Sequence, residues 1–186
     1  MTVDRDEASA LLNDVASIEA RVRELLIYSR VSDYLILWGA IFFVGFTGTF
    51  FFRDAANTLW LFLEAIGGAA TVGIVARRVM RNRAPALAVV SRAVFSVIGV
   101  LAFGTLWIWL AHMGWREQVT FWPTLLGFLL FMIGQWAGRA LVIGGFVLFV
   151  ATLSGYFLAG DYLHLWMAVA AGGSMIAGGL WLRRPA

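Results

Sequence analysis

Six stretches of roughly 20 predominantly apolar residues dominate this sequence, each closed by charged or turn-forming residues. They lie at about 34–52, 58–76, 93–111, 121–137, 140–159 and 165–182. An α-helix needs about 20 apolar residues to cross the hydrocarbon core of a bilayer. Backbone groups that face lipid must be hydrogen bonded, and these runs are too long and too uniformly apolar for barrel strands. The sequence therefore predicts six transmembrane α-helices.

Composition supports an all-α membrane protein in two parts. Hydrophobic residues make up 61% of the 186 residues and charged residues only 13%, far from the balance of a soluble domain. We expect a polytopic bundle of three helical hairpins at 33–186, preceded by a cytoplasmic amphipathic helix at 1–32. The first apolar run follows an acidic stretch without a cationic leader, so we expect a retained span and not a signal peptide. The absence of cysteine excludes a disulfide scaffold and a thiolate metal site.

Arginine is distributed unequally between the two sides of the predicted spans. Only Arg53 and Arg116 fall on one side. The arginines of the other side are Arg5, Arg21, Arg23, Arg30, Arg77, Arg78, Arg81, Arg83, Arg92, Arg139, Arg183 and Arg184. Because cytoplasmic loops are enriched in basic residues, both termini are expected in the cytoplasm and the protein in a bacterial inner membrane. The connection at 77–92 is short and lies against the membrane, which disfavours nucleic-acid binding.

The nine tryptophans fall near the predicted ends of the spans, where indole rings anchor helices at the membrane interface. A cage for a quaternary ammonium ligand is the alternative interpretation of these rings. Three of them also mark a repeat, because Trp60, Trp122 and Trp166 each precede an arginine by 17 residues. A shift of 106 residues places the first hairpin on the third and matches, among others, these pairs: Gly39 with Gly145, Phe43 with Phe149, Gly67 with Gly173, and Gly73 with Gly179. Common ancestry and the fixed thickness of a bilayer both explain this pattern.

Glycines inside the apolar runs are interpreted as helix-packing residues, because small side chains let helix backbones approach closely in lipid. A GxxxG motif joins Gly134 and Gly138 in the fourth run. Gly45 with Thr49 and Gly173 with Ala177 have the same spacing of small residues. The packing positions expected from the sequence are Gly67, Gly134, Gly138 and Gly173.

Glu64 is the most informative polar residue, because it lies inside the second apolar run, about 9 Å from its outer end. A charged acid near the bilayer centre costs on the order of 3 kcal/mol, so Glu64 should face protein or a water-filled cavity. Small residues and Thr71 continue the same helical face. One interpretation is structural, with the acid tied to Thr49, His112 or Arg116 of a neighbouring helix. The other is a small oligomeric transporter or channel centred on Glu64 and Thr71.

His112 and His164 are the only histidines, and both fall at outer ends of predicted spans. A bis-histidine haem needs two facing imidazoles, and catalytic zinc usually has three protein ligands at ordered spacings. The sequence shows neither pattern, so we expect no cofactor and keep a metal or haem site at the two histidines as the alternative. It also shows no nucleophile and base set and no nucleotide-binding loop, so we expect no enzyme activity.

Residues 4–30 have an amphipathic pattern typical of a soluble helix. Leu11, Val15, Ile18, Val22 and Leu25 recur at alternating spacings of four and three, over little more than two heptads. Residues 1–33 carry seven acidic side chains and four arginines, a net charge of −3, whereas helices that lie on lipid are usually basic. This segment is therefore expected to dock a cytoplasmic protein or a second copy of the chain, while packing on its own bundle and lying on lipid are the alternatives.

Four segments resemble a group of small six-helix bacterial inner-membrane proteins. They are SDYLILWGA from Ser32, FWPTLLGF from Phe121, GQWAGRA from Gly134 and LWMAVAAGGSMIAGGLWLRR from Leu165. Genes of this group often neighbour a winged-helix DNA-binding regulator, and the group has no established catalytic or ligand residues. The resemblance implies a non-catalytic sensor, anchor or regulatory partner that acts through its N-terminal helix.

Overall fold

The computed structural model describes residue 28 and residues 31–81 and 86–183. Its six helices are α1 (Val31–Phe51), α2 (Ala56–Arg81), α3 (Ala86–Leu110), α4 (Trp115–Ala137), α5 (Arg139–Leu158) and α6 (Gly160–Leu182). No strand occurs in this part of the chain. The expected all-α bundle of six helices is therefore confirmed. Apart from Tyr28, the predicted docking helix at 4–30 lies outside the described residues.

Five of the six helices are long and apolar enough to cross a membrane, and α3 contains a further apolar stretch, Val94–Leu110. The helices also extend beyond the apolar runs from which they were predicted. For example, α4 begins at Trp115, six residues before the predicted run, and its first turns contain Arg116 and Glu117. Hydropathy marks the part of a helix that suits lipid, whereas backbone hydrogen bonds continue through polar turns.

Two pairs of helices pack with their backbones in direct contact, and both contacts depend on glycine. Between α4 and α5, a Cβ atom on Gly145 would lie 2.5 Å from the carbonyl oxygen of Gly127. Between α1 and α6, a Cβ atom on Gly39 would lie 2.9 Å from the carbonyl oxygen of Gly172. All four glycines are buried. We call these two helix interfaces the α4–α5 seam and the α1–α6 seam. They hold the bundle together, because close backbone approach maximises van der Waals contact where lipid provides no hydrophobic drive.

The two seams are built on the same pattern, which agrees with the sequence match between the first and third hairpins. Gly39 and Gly145 are 106 residues apart, and each contacts the carbonyl of a glycine on the helix it packs against. Those partner glycines, Gly127 and Gly172, are 45 residues apart. The tryptophans in the N-terminal parts of the same helices, Trp122 and Trp166, are only 44 residues apart. One extra residue has therefore been accommodated within α6.

A π-helical turn at Ala168–Gly173 accounts for that extra residue. The wider i to i+5 hydrogen bonding of a π turn takes in one more residue than an α turn. It moves Gly172 into the position against α1, where its Cβ atom would lie 2.6 Å from the backbone nitrogen of Phe43. Gly173, the expected packing residue, would have its nearest contact at 3.9 Å. The assignment of Gly173 to a tight interface was wrong by one position.

The other three expected packing glycines occupy different environments. Gly134 packs on α5, where its Cβ atom would lie 2.5 Å from the backbone nitrogen of Val142. Gly67 packs against side chains of α1, with Ile41 the nearest. Gly138 is instead the residue that ends α4, and its backbone φ of +135° is one that residues with a side chain rarely adopt. The GxxxG motif therefore combines one interface glycine with one turn glycine.

Polar contacts join helix ends at both extremities of the bundle. Asp33, at the start of α1, binds the guanidinium groups of Arg78 and Arg183 and so connects α1, α2 and α6. At the opposite extremity Arg116 of α4 donates to the carbonyl oxygens of Tyr156, at 2.6 Å, and Gly160, at 3.2 Å. Arginines that the sequence assigned to opposite sides thus lie at opposite ends of the helices.

Candidate functional site: a cavity beside Glu64

A cavity of about 570 Å³ opens between the first four helices, with one wall residue from α6. The core of α1, α5 and α6 forms its floor, because Phe42 and Phe46 belong both to that core and to the cavity lining. Aromatic side chains and leucines make up most of its surface. The residues on which its chemistry depends are Trp38, Thr49, Trp60, Glu64, Trp122 and His164.

Glu64 projects from α2 into the wall of this cavity and is half-buried. Among the described residues, its carboxyl group has no hydrogen-bond or ion-pair partner. Thr49, one partner suggested by the sequence, instead accepts a hydrogen bond from Nε1 of Trp60 at 2.9 Å. Arg116 is occupied at the end of α4, and His112 lies exposed in the turn after α3. The structural tie proposed for Glu64 is therefore absent from this part of the chain.

Two tryptophans of the cavity wall are held in place by threonines. Trp60 donates to Thr49, whose hydroxyl donates in turn to the carbonyl oxygen of Gly45 at 2.8 Å. Trp38 donates from Nε1 to the hydroxyl of Thr71 at 3.2 Å. Because both indole N–H groups are satisfied within the protein, a ligand would meet the apolar ring surface there. Thr71, which the sequence grouped with Glu64, is buried and serves to orient Trp38.

The sequence missed the fact that some tryptophans face inward. The interfacial belt was expected to include all nine, whereas Trp38, Trp60 and Trp122 are partly buried and line the cavity. The sequence feature that accompanies an inward-facing tryptophan is a glycine on the neighbouring helix. The ring of Trp60 packs over Gly45, and the ring of Trp122 packs over Gly104. A helix pattern cannot reveal such a pairing before the order of the helices around the bundle is known.

The two histidines have different environments. His164 is buried, and its ring is stacked on Trp115, with centroids 5.4 Å apart and planes inclined by 9°. Its Nδ1 atom is buried without a hydrogen-bond partner among the described residues. His112, by contrast, is exposed and has a positive φ of 47°. The described ranges contain no group of three or more histidine, aspartate or glutamate side chains arranged to hold a metal ion.

The arrangement is suited to binding, because a large apolar cavity has on its wall a polar group that the described residues do not satisfy, the carboxyl of Glu64. His164 also lines the cavity, but its Nδ1 atom is buried and has almost no accessible surface. Comparisons give no further guide, since no family model, curated protein or solved structure matches this chain.

Proposed function

We propose that this chain is a multi-pass protein of the bacterial inner membrane with both termini in the cytoplasm. Five helices of sufficient length and apolar character support insertion, and the apolar stretch Val94–Leu110 of α3 would complete the even number of spans that this orientation requires. The clustering of Arg78 and Arg183 at one extremity, with Arg116 at the other, supports the orientation. In this arrangement the Asp33 end of the bundle faces the cytoplasm, and the α3–α4 turn faces outward.

Within that framework we propose that the bundle binds a small amphipathic cation at Glu64, as a non-catalytic transporter or channel. The observation that carries this proposal is the unpartnered carboxyl on the wall of an aromatic cavity of about 570 Å³. An acid within a membrane is costly and marks a substrate or ion pathway when no protein group balances it. A cationic ligand would supply the missing partner, and the tryptophan rings would contact its apolar body and its charge.

The Glu64→Gln variant is expected to bind a lipophilic cation at least about tenfold more weakly, because the amide keeps the size of the side chain but not its charge. The probe is tetraphenylphosphonium, titrated into full-length protein in lipid nanodiscs and followed by isothermal calorimetry. Glu117→Gln is the matched control, since Glu117 lies outside the cavity and accepts a hydrogen bond from Tyr156 at 3.0 Å. Equal affinity in the wild type and Glu64→Gln, or no binding by the wild type, would refute the proposal.

Uptake assays in proteoliposomes then distinguish transport of the ligand from binding alone. A rate of tetraphenylphosphonium uptake that the wild type raises above that of protein-free liposomes, and that Glu64→Gln does not, would establish a transporter. Binding without uptake would identify a receptor for the same ligand. Cross-linking in the same vesicles would reveal a homo-oligomer, which a channel built from six short helices is expected to need.

The N-terminal segment supports a second candidate function, a sensor, anchor or regulatory partner that docks a cytoplasmic protein. The favouring observation is the junction of this segment with α1. Ser32 and Asp33 are bound there by Arg183, and Asp33 also by Arg78, so the start of α1 is fixed to the ends of α2 and α6. An acidic amphipathic helix attached at that point would be held at the cytoplasmic surface.

Deletion of residues 2–30 is expected to abolish association with such a partner while the helical bundle still inserts. Full-length and truncated proteins would be purified from native membranes in mild detergent, and bound proteins identified by mass spectrometry. Because the contacts of Asp33 with Arg78 and Arg183 are retained, the six-helix bundle should insert as it does in the full chain. A partner that stays with the truncated protein would count against docking through Leu11, Val15, Ile18, Val22 and Leu25.

A further inference from the structure

Three seams connect successive hairpins around the bundle, and the third one differs from the other two. The α1–α6 and α4–α5 seams are closed by glycine against backbone, as described above. The remaining seam joins α2 to α3. Its residues can be identified because Trp60 and Trp122 are 62 residues apart, and so are Arg77 and Arg139.

The chain can be aligned with itself at this shift of 62 residues. Every position that holds a closing glycine in the other two seams then holds a larger residue in the third seam. Leu101 of α3 occupies the position of Gly39 and Gly145. On α2, Ala65 corresponds to Gly127 and Val72 to Gly134. A leucine side chain at the crossing point prevents the close backbone approach that glycine permits.

Exposure shows that this seam is packed more loosely than the other two. Gly127 and Gly134 are buried, whereas Ala65 is exposed and Val72 is 39% exposed. The surrounding glycines also have free space, since a Cβ atom on Gly68, Gly73 or Gly99 would meet nothing within 4 Å. At these positions α2 and α3 therefore lack the tight glycine contacts that bring the equivalent helix pairs into backbone contact.

The cavity lies beside this loosely packed seam. Glu64 lines the cavity and immediately precedes Ala65. From α3, Val100 and Leu101 line the same cavity. Together with α4, the two helices of the loosely packed seam thus form the side of the cavity that faces away from the core of α1, α5 and α6.

We propose that the α2–α3 seam is a lateral portal through which a ligand moves between the lipid phase and the Glu64 cavity. This inference rests on the proposed function and specifies its ligand as an amphipathic molecule that partitions into lipid, with a cationic group for Glu64. A strictly water-soluble ion would require an opening at a helix end instead. Both walls of the portal are apolar at Val72 and Leu101, as a passage to lipid requires.

An access measurement tests the portal without any ligand. The chain has no cysteine, so Leu126→Cys provides a single thiol on the cavity wall contributed by α4. Full-length protein in proteoliposomes is treated either with N-(1-pyrenyl)maleimide dissolved in the lipid or with a charged, membrane-impermeant methanethiosulfonate in the water. The rate of labelling is compared in two further backgrounds. Ala65→Trp places a bulky ring in the seam, whereas Ile66→Trp places the same ring about 100° around α2, at a position that is 59% exposed.

We expect the lipid-dissolved reagent to label the thiol, and Ala65→Trp to slow that labelling at least about tenfold. Ile66→Trp should leave the rate within about twofold of the parent. Equal rates in the two tryptophan variants, faster labelling by the charged reagent, or no labelling from lipid would each overturn the portal. Failure of the cation-binding titration would refute the proposed function separately, because the access rates do not depend on any ligand.

Discussion

Gly145→Ala is expected to destabilise the bundle by about 3 kcal/mol. Alanine by itself favours a helix over glycine by up to about 1 kcal/mol, so the expected loss comes entirely from the contact with α4. The new methyl group would lie 2.5 Å from the carbonyl oxygen of Gly127 and 2.5 Å from the backbone nitrogen of Phe131. Both are main-chain atoms of a helix, so no rotamer change relieves the overlap, and α4 and α5 must separate.

The adjacent glycine provides a matched control. A Cβ atom on Gly144 would meet nothing within 4 Å, so Gly144→Ala should leave the free energy of unfolding unchanged or raise it slightly. The two variants are compared by unfolding the protein in bicelles with increasing sodium dodecyl sulfate, followed by circular dichroism. Equal unfolding midpoints for the two variants would show that the α4–α5 seam does not depend on Gly145.

Gly172→Ala is expected to weaken the α1–α6 seam by about 2 kcal/mol. Its methyl group would lie 2.6 Å from the backbone nitrogen and 2.7 Å from the Cα atom of Phe43. Gly173→Ala should have little effect, because its nearest neighbour would be the carbonyl oxygen of Ala168 at an ordinary 3.9 Å. The sequence repeat alone predicts the reverse order, since it assigned the interface to Gly173.

This pair of variants therefore tests the π turn at Ala168–Gly173 as well as the seam. The same detergent titration gives the unfolding free energies, and the binding of tetraphenylphosphonium reports whether the cavity survives. Greater destabilisation by Gly173→Ala than by Gly172→Ala would place α6 in the register of an uninterrupted α-helix and contradict the π turn.

The sequence by itself determined the class of fold and the segments that form its helices. Apolar runs of sufficient length are a local property, and an isolated helix satisfies its own backbone hydrogen bonds whatever its neighbours are. The match of Gly39 with Gly145 could also be read in advance, because a repeat preserves spacing along the chain. Glu64 was singled out for the same kind of reason, since the burial of an acid within an apolar run is evident from the run alone.

Only the tertiary structure decided which residues share a cavity and which glycines touch a backbone. Helical periodicity does not reveal which helices are neighbours, so the pairings of Trp60 with Gly45 and of Trp38 with Thr71 could be recognised only once the order of the helices was known. One extra residue in a π turn rotates every later side chain of α6 by about 100°, which moves the contact from Gly173 to Gly172. The loose packing of the α2–α3 seam depends on the tertiary structure in the same way, because the exposure of Ala65 and Val72 is known only when the neighbouring helices are in place.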